Sequence, residues 1–215
     1  MNWPCGGQRG LRSGLFPAPA RRPPCANLRA DMNRRQTLGL MGTLLAGLIA
    51  PRLARATTAR AVALGDLVRR STRIAHATPL EGSSRFEDIG DTRHIVTYTR
   101  LRVEDPIFGD TGETEILVRT LGGHVGELGE IVHGEAQLAL NESCVVFLRA
   151  NADGIEQVTE MAQGHYPLLA DSGGALRLQA SRNMPRLVGN PGAAVAQLAN
   201  LRLPDARALI LGVKR

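Results

Sequence analysis

Between residues 73 and 180, apolar and polar positions alternate with a period of two, a pattern typical of half-buried strands. Clusters of Gly, Pro, Asn and Asp separate the alternating stretches at short, regular intervals. We therefore predict a mainly β domain, a small antiparallel barrel or sandwich. The predicted strands are Arg73–Thr78, Arg93–Val103, Glu113–Leu121, Cys144–Arg149, Ile155–Met161, Tyr166–Leu169 and Ala175–Gln179.

Two of the separating segments have the composition of hairpin turns, namely Asn151–Gly154 and Asp171–Gly174. Asp105-Pro106 is expected to end the second strand, because proline cannot donate to a sheet ladder. Gly82-Ser83-Ser84 is interpreted as a further turn, and Gly122-Gly123 as a turn or bulge.

Helical periodicity appears only at the two ends of this region. Leu64, Leu67 and Val68 follow the i, i+3, i+4 spacing of a short N-terminal helix. The Ala-rich segment 191–201 and the segment 206–211 predict one or two C-terminal helices. The pattern leaves open whether these helices pack on the barrel or form a docking tail.

The first 56 residues differ from the rest. Residues 1–31 are rich in Pro, Gly and Arg, which indicates disorder or a non-native extension upstream of a second start at Met32. Residues 32–56 then have the order of a signal peptide: a basic start, a short apolar core, and the small residues Ala54 and Ala56 before Thr57. The apolar core of about a dozen residues is shorter than the ~20 that a permanent membrane span requires.

Arg34, Arg35 and Leu38 resemble the twin-arginine class of export signals, although other positions of that pattern differ. A general secretory signal that happens to carry two arginines is the alternative. Either route implies contact with export machinery and a signal peptidase, and a periplasmic or extracellular location.

The chain has a net charge of +6, and its whole positive excess lies in this leader. Residues 1–56 contain nine arginines against one acidic residue, whereas the remainder has 17 basic and 19 acidic residues. A mature chain of charge about −2 offers no basic footprint for nucleic acid. We therefore expect no nucleic-acid partner.

These observations divide the chain into an upstream extension (1–31), a signal peptide (32–56), a β domain (57–182) and a C-terminal helical tail (183–215). The mature part contains a single cysteine, Cys144, within an apolar run. It can form no intramolecular disulfide, and we interpret it as a small buried hydrophobe.

The order of strands and turns from 95 to 149 resembles secreted OB-like barrels of the netrin and tissue-inhibitor type, as well as uncharacterised exported bacterial proteins. The resemblance is carried by Leu101–Glu104, Phe108-Gly109, Ile116–Thr120 and Val145–Leu148. It implies an OB-like barrel. Those inhibitor modules usually carry disulfides and an N-terminal cysteine, both absent here, so inhibition is not carried over and an inhibitor-like role would rest on fold analogy alone.

The motif from Gly122 to Glu130 places glycines among histidine and glutamate. Glycine at this spacing favours tight turns or close strand approach over an anion cradle. His124, Glu127, Glu130 and His133 form the only candidate site region, because they could converge across a hairpin.

With no catalytic or metal-binding signature elsewhere, the sequence favours an exported, non-catalytic binding or envelope-associated module without a cofactor. An exported hydrolase with a site around residues 124–133 is the alternative.

Overall fold

The computed structural model describes residues 58–109, 112–189 and 192–213. The predicted segments 1–31 and 32–56 lie outside these residues, as do the export-signal and cleavage positions Arg34, Arg35, Leu38, Ala54, Ala56 and Thr57.

Eleven strands and three α-helices are present in the described part of the chain. The strands are β1 (Thr58–Arg60), β2 (Arg73–Ile89), β3 (Thr92–Phe108), β4 (Glu115–Leu121), β5 (Gly123–Val125), β6 (Leu128–Glu130), β7 (Cys144–Ala150), β8 (Glu156–Val158), β9 (His165–Ala170), β10 (Leu176–Leu178) and β11 (Arg186–Val188). The helices are α1 (Leu64–Arg70), α2 (Ala194–Leu198) and α3 (Leu203–Val213), and Met161–Gly164 forms a 3-10 turn.

Five of the strands close into a ring in the order β2-β3-β4-β8-β7, with β7 pairing back onto β2. All pairings in the ring are antiparallel except that between β4 and β8, which is parallel. This is a small Greek-key barrel of the OB type. The prediction of a mainly β barrel with a short N-terminal helix and C-terminal helices is therefore confirmed.

The hairpin of β2 and β3 is longer than the sequence predicted, because each strand has 17 residues. The predicted turn at Gly82–Ser84 was wrong, since these residues pair with β3 throughout. Pro106 does not end β3 either. It lies opposite Ala75 at a register shift, where a missing N–H is tolerated. The predicted strand Ile155–Met161 shortens to β8, because the chain turns after Val158.

Two apolar clusters stabilise this arrangement. One fills the inside of the ring, and the other lies outside it, between the sheet and the helices. Cys144 belongs to the inner cluster, and its burial raises the thiol pKa to about 12. A thiol protonated at neutral pH in an apolar core acts as a hydrophobe.

The outer cluster includes the C-terminal helices. Leu198, Ala206 and Ile210 are buried in the same cluster as Phe147 and Tyr166, whose rings meet edge to face at 6.0 Å. The helices α2 and α3 therefore pack on the barrel rather than extend from it as a docking tail. None of the described helices is long and apolar enough to cross a bilayer.

We expect Leu198→Ala to lower the free energy of unfolding by about 2–5 kcal/mol, because it removes a fully buried side chain from the outer cluster. The matched control is Leu211→Ala on α3, where the side chain is 39% exposed, and its effect should be within about 0.5 kcal/mol. Urea denaturation measures both. Equal small effects would mean that the C-terminal helices do not belong to the core.

Candidate functional site

The predicted site region begins with a two-stranded hairpin, β5 and β6. His124 lies opposite Gly129, and the two strands are joined by Gly126 and Glu127. Gly126 has φ +61°, as the first position of a two-residue hairpin turn requires. Glu127 therefore lies exposed at the tip of the hairpin, away from its root at Glu130.

Glu130 fastens the hairpin to β3. Its Oε1 is 2.7 Å from Nδ1 of His94, and its Oε2 accepts a hydrogen bond from the Ile95 amide at 2.6 Å. Both hydrogen bonds lower the pKa of the Glu130 carboxyl, and the one with His94 has the larger effect. Sequence reasoning missed His94 as the partner, because 36 residues separate the pair along the chain.

The two glycines at the start of the hairpin have the structural role that their spacing indicated. Gly122 and Gly123 both have positive φ, at +89° and +136°. A Cβ on Gly123 would overlap the hydroxyl oxygens of Thr97 and Ser84. The Thr97 hydroxyl also donates to the Gly122 carbonyl at 2.6 Å. The motif thus brings chain segments close together and needs no bound anion to account for it.

His133 lies in a different cleft from His124 and Glu130. The four residues of the predicted region are therefore not gathered around one point. Across the described ranges, no group of three or more His, Cys, Asp or Glu side chains is placed to hold a metal ion.

Three neighbouring clefts occur instead, and we number them for reference. The first (about 460 Å³) is bordered by Arg60, Arg70, His133, Gln163 and Pro185. The second (about 290 Å³) has Thr97, Thr99, His124, Glu130 and Arg182 on its walls. The third (about 400 Å³) has Ile89, Arg119, Arg149, Gln157 and Val158.

Shared residues connect these clefts. Glu160 and Met161 border both the first and the third, and Glu135 borders both the second and the third. Glu135 is only 8% exposed, and burial raises the pKa of its carboxyl. Its Oε1 accepts the Ala136 amide at 3.0 Å, while the side chain of Asn183 donates to the carbonyls of Val132 and Glu135. The segment from Val132 to Glu135, which lies between the clefts, is thereby held in place.

The turn between the first and third clefts has an unusual backbone. Glu160 and Met161 are consecutive non-glycine residues in the left-handed region, with φ of +56° and +57°. Each such residue costs of the order of 1–3 kcal/mol and persists only where the surrounding structure imposes it. No residue type here indicates a turn, so the sequence predicted a continuing strand.

Several contacts hold this turn. Ala162 donates to the Gly134 carbonyl at 2.8 Å, and Arg70 pairs with the Glu160 carboxylate at 2.7 Å. The amide side chain of Gln163 accepts from the Val62 N–H and donates to the Arg60 carbonyl, as a neighbouring strand would. The turn is thus fixed to the N-terminal residues Arg60 and Val62 and to Gly134, which lies between the clefts.

Gly164 leaves no room for a side chain, because an added Cβ would overlap the Thr159 carbonyl. We expect Gly164→Ala to lower the free energy of unfolding by about 1–3 kcal/mol through overpacking. Gly212→Ala is the matched control, since no atom lies within 4 Å of its added Cβ and no loss is expected. Both are measured by urea denaturation. A Gly164→Ala variant as stable as the control would contradict the tight turn.

Comparison with known proteins supplies no family for this geometry: no protein-family model matches the chain, and no curated protein matches it either.

Proposed function

We propose that this chain is an exported, non-catalytic module that binds a protein partner along the first and third clefts, which together we name the Met161 groove. The observation that carries the proposal is the clamped left-handed pair Glu160-Met161 at the junction of the two clefts. Strained backbone of this kind concentrates at binding and catalytic sites.

The side chains along the groove suit adhesion better than chemistry. Met161 is 37% exposed, and Ile89 and Pro185 add apolar surface on either side. Methionine adapts its shape to a partner surface. The Glu160 carboxylate beside Met161 is already engaged in an ion pair with Arg70.

Export is supported by the leader: the Arg34-Arg35 pair, the short apolar core and the small residues before Thr57. We propose that the mature module is released into the periplasm or the extracellular space. The twin-arginine route is the favoured one, and it carries proteins that fold before export. A barrel that holds no disulfide among its described residues is compatible with such a route, because it can fold before export in a reducing compartment.

We expect the double change Arg34→Lys and Arg35→Lys to retain the charge of the leader but to block export, so that full-length precursor accumulates inside the cell. Immunoblots of cell fractions measure this, with Arg52→Lys as the control that should export normally. Undiminished export of the double variant would assign the chain to the general secretory route. Retention of the unaltered chain inside the cell would overturn the export proposal.

The groove itself is tested by placing a photo-crosslinking amino acid at Met161 in the chain expressed in its own host. A discrete protein adduct at position 161 is expected, because this position lies at the junction of the two clefts. The control position is Leu211, which has similar exposure, 39%, but lies on α3. Adducts at neither position, or the same adducts at both, would contradict the proposal.

A further inference from the structure

The third cleft carries a row of hydrogen-bond donors across three adjacent strands. We propose that Arg149, Gln157 and Arg119 hold an extended, carboxylate-bearing segment of the protein partner. This inference rests on the proposed function, because it names the chemistry recognised in one half of the Met161 groove.

The row follows from the closed ring. Arg149 on β7 lies directly opposite Gln157 on β8, and Gln157 lies opposite Arg119 on β4. Directly opposed residues on neighbouring strands point to the same face of a sheet. With strands about 4.8 Å apart, the Cα atoms of the two arginines flank Gln157 across roughly 10 Å. All three residues border the third cleft.

The two arginines of the cleft differ in whether they have a partner. Nε of Arg119 donates to the Glu87 carboxylate at 2.7 Å, and its side chain is only 13% exposed. Arg149 is exposed and makes no ion pair or side-chain hydrogen bond within the described part of the chain. The cleft therefore offers one uncompensated cation beside a second arginine that is held in place.

Two carboxylates border the same cleft, but both are already engaged. Glu160 is paired with Arg70, and the buried carboxylate of Glu135 is bonded to the backbone amide of Ala136. Neither competes for Arg149. An anionic ligand is thus the natural complement of the cleft, because a guanidinium binds a carboxylate through two parallel N–H donors.

The rest of the cleft favours a peptide over a phosphate polymer. The side chains of Ile89, Val158 and Met161 add apolar surface to the row, and the Gln157 amide can both donate to and accept from a peptide backbone. A nucleic acid would require many more cations, and the chain beyond the leader has a net charge of −2. Alternating carboxylate and apolar side chains on an extended segment match the row and its surroundings.

The test uses a fluorescein-labelled hexapeptide of alternating glutamate and valine, titrated with the purified chain and followed by fluorescence anisotropy. We expect saturable binding that Arg149→Glu weakens by at least about tenfold, since a charge-assisted contact is replaced by repulsion. Gln157→Leu should weaken binding severalfold. Arg202→Glu is the matched control, because Arg202 is exposed and lies outside all three clefts, and it should leave binding unchanged. Equal unfolding midpoints for all variants verify the fold.

Three further outcomes would overturn the inference. Displacement of the peptide by an equal concentration of inorganic phosphate would reassign the site to a phosphate ligand, and equal losses for Arg149→Glu and Arg202→Glu would reduce it to general charge attraction. If the peptide does not bind while Met161 still crosslinks a partner, the proposal of a carboxylate-bearing ligand is refuted and the proposed function stands. Peptide binding without a Met161 adduct would contradict the proposed function and keep the anionic site.

Discussion

The three-residue strand β8 is the constraint on which the barrel and its groove depend. It pairs with β7 on one side and with β4 on the other, and without it the other four strands of the ring would form an open sheet. Val158 of β8 also contributes to the cluster inside the ring, so the strand that closes the ring is part of its core. The same pairing aligns Arg149, Gln157 and Arg119, and hence the donors of the third cleft result from the topology.

The end of β8 also determines the path of the chain toward β9. The Thr159 amide donates to the Phe147 carbonyl, and its side chain bonds to Ser71 at the end of α1. The chain must then turn sharply to begin β9, which leaves Glu160 and Met161 in the left-handed region. Ring closure thus produces both halves of the groove: the row of donors on the strands, and the strained turn at their end. The cost of the strain is offset by the contacts around Gln163 and Gly164.

The local sequence was sufficient to predict the structure where neighbouring residues determine the backbone conformation. The Asn151–Gly154 turn was predicted from its residues, and the Asn151 side chain does accept hydrogen bonds from the amides of Asp153 and Ile155. The buried strand β7 and the structural role of Gly122-Gly123 were likewise predictable. The length of β2 was not, because Gly82 and Ser84 are held in a strand only by their long pairing with β3. The Glu130–His94 contact and the row across β8 join residues far apart in the chain, and no local pattern indicates them.

The candidate site illustrates the same limit. The motif rich in histidine and glutamate was the predicted site region, yet its residues separate into a contact with β3, a hairpin tip and the walls of two clefts. The groove consists of ordinary residues, and a Glu-Met pair has no turn signature. Its character comes from backbone conformation and cross-strand register, which depend on the whole fold.

Closure of the ring requires β4 to pair in parallel with β8, and nuclear Overhauser effects between backbone protons of the isotope-labelled chain measure this pairing. We expect contacts between Val118–Arg119 and Glu156–Gln157, in addition to those between Arg149 and Gln157 within the hairpin. Contacts between β7 and β8 alone, with none from β4 to β8, would show an open sheet in which Arg119 does not lie beside Gln157. That result would refute both the closed barrel and the groove that depends on it.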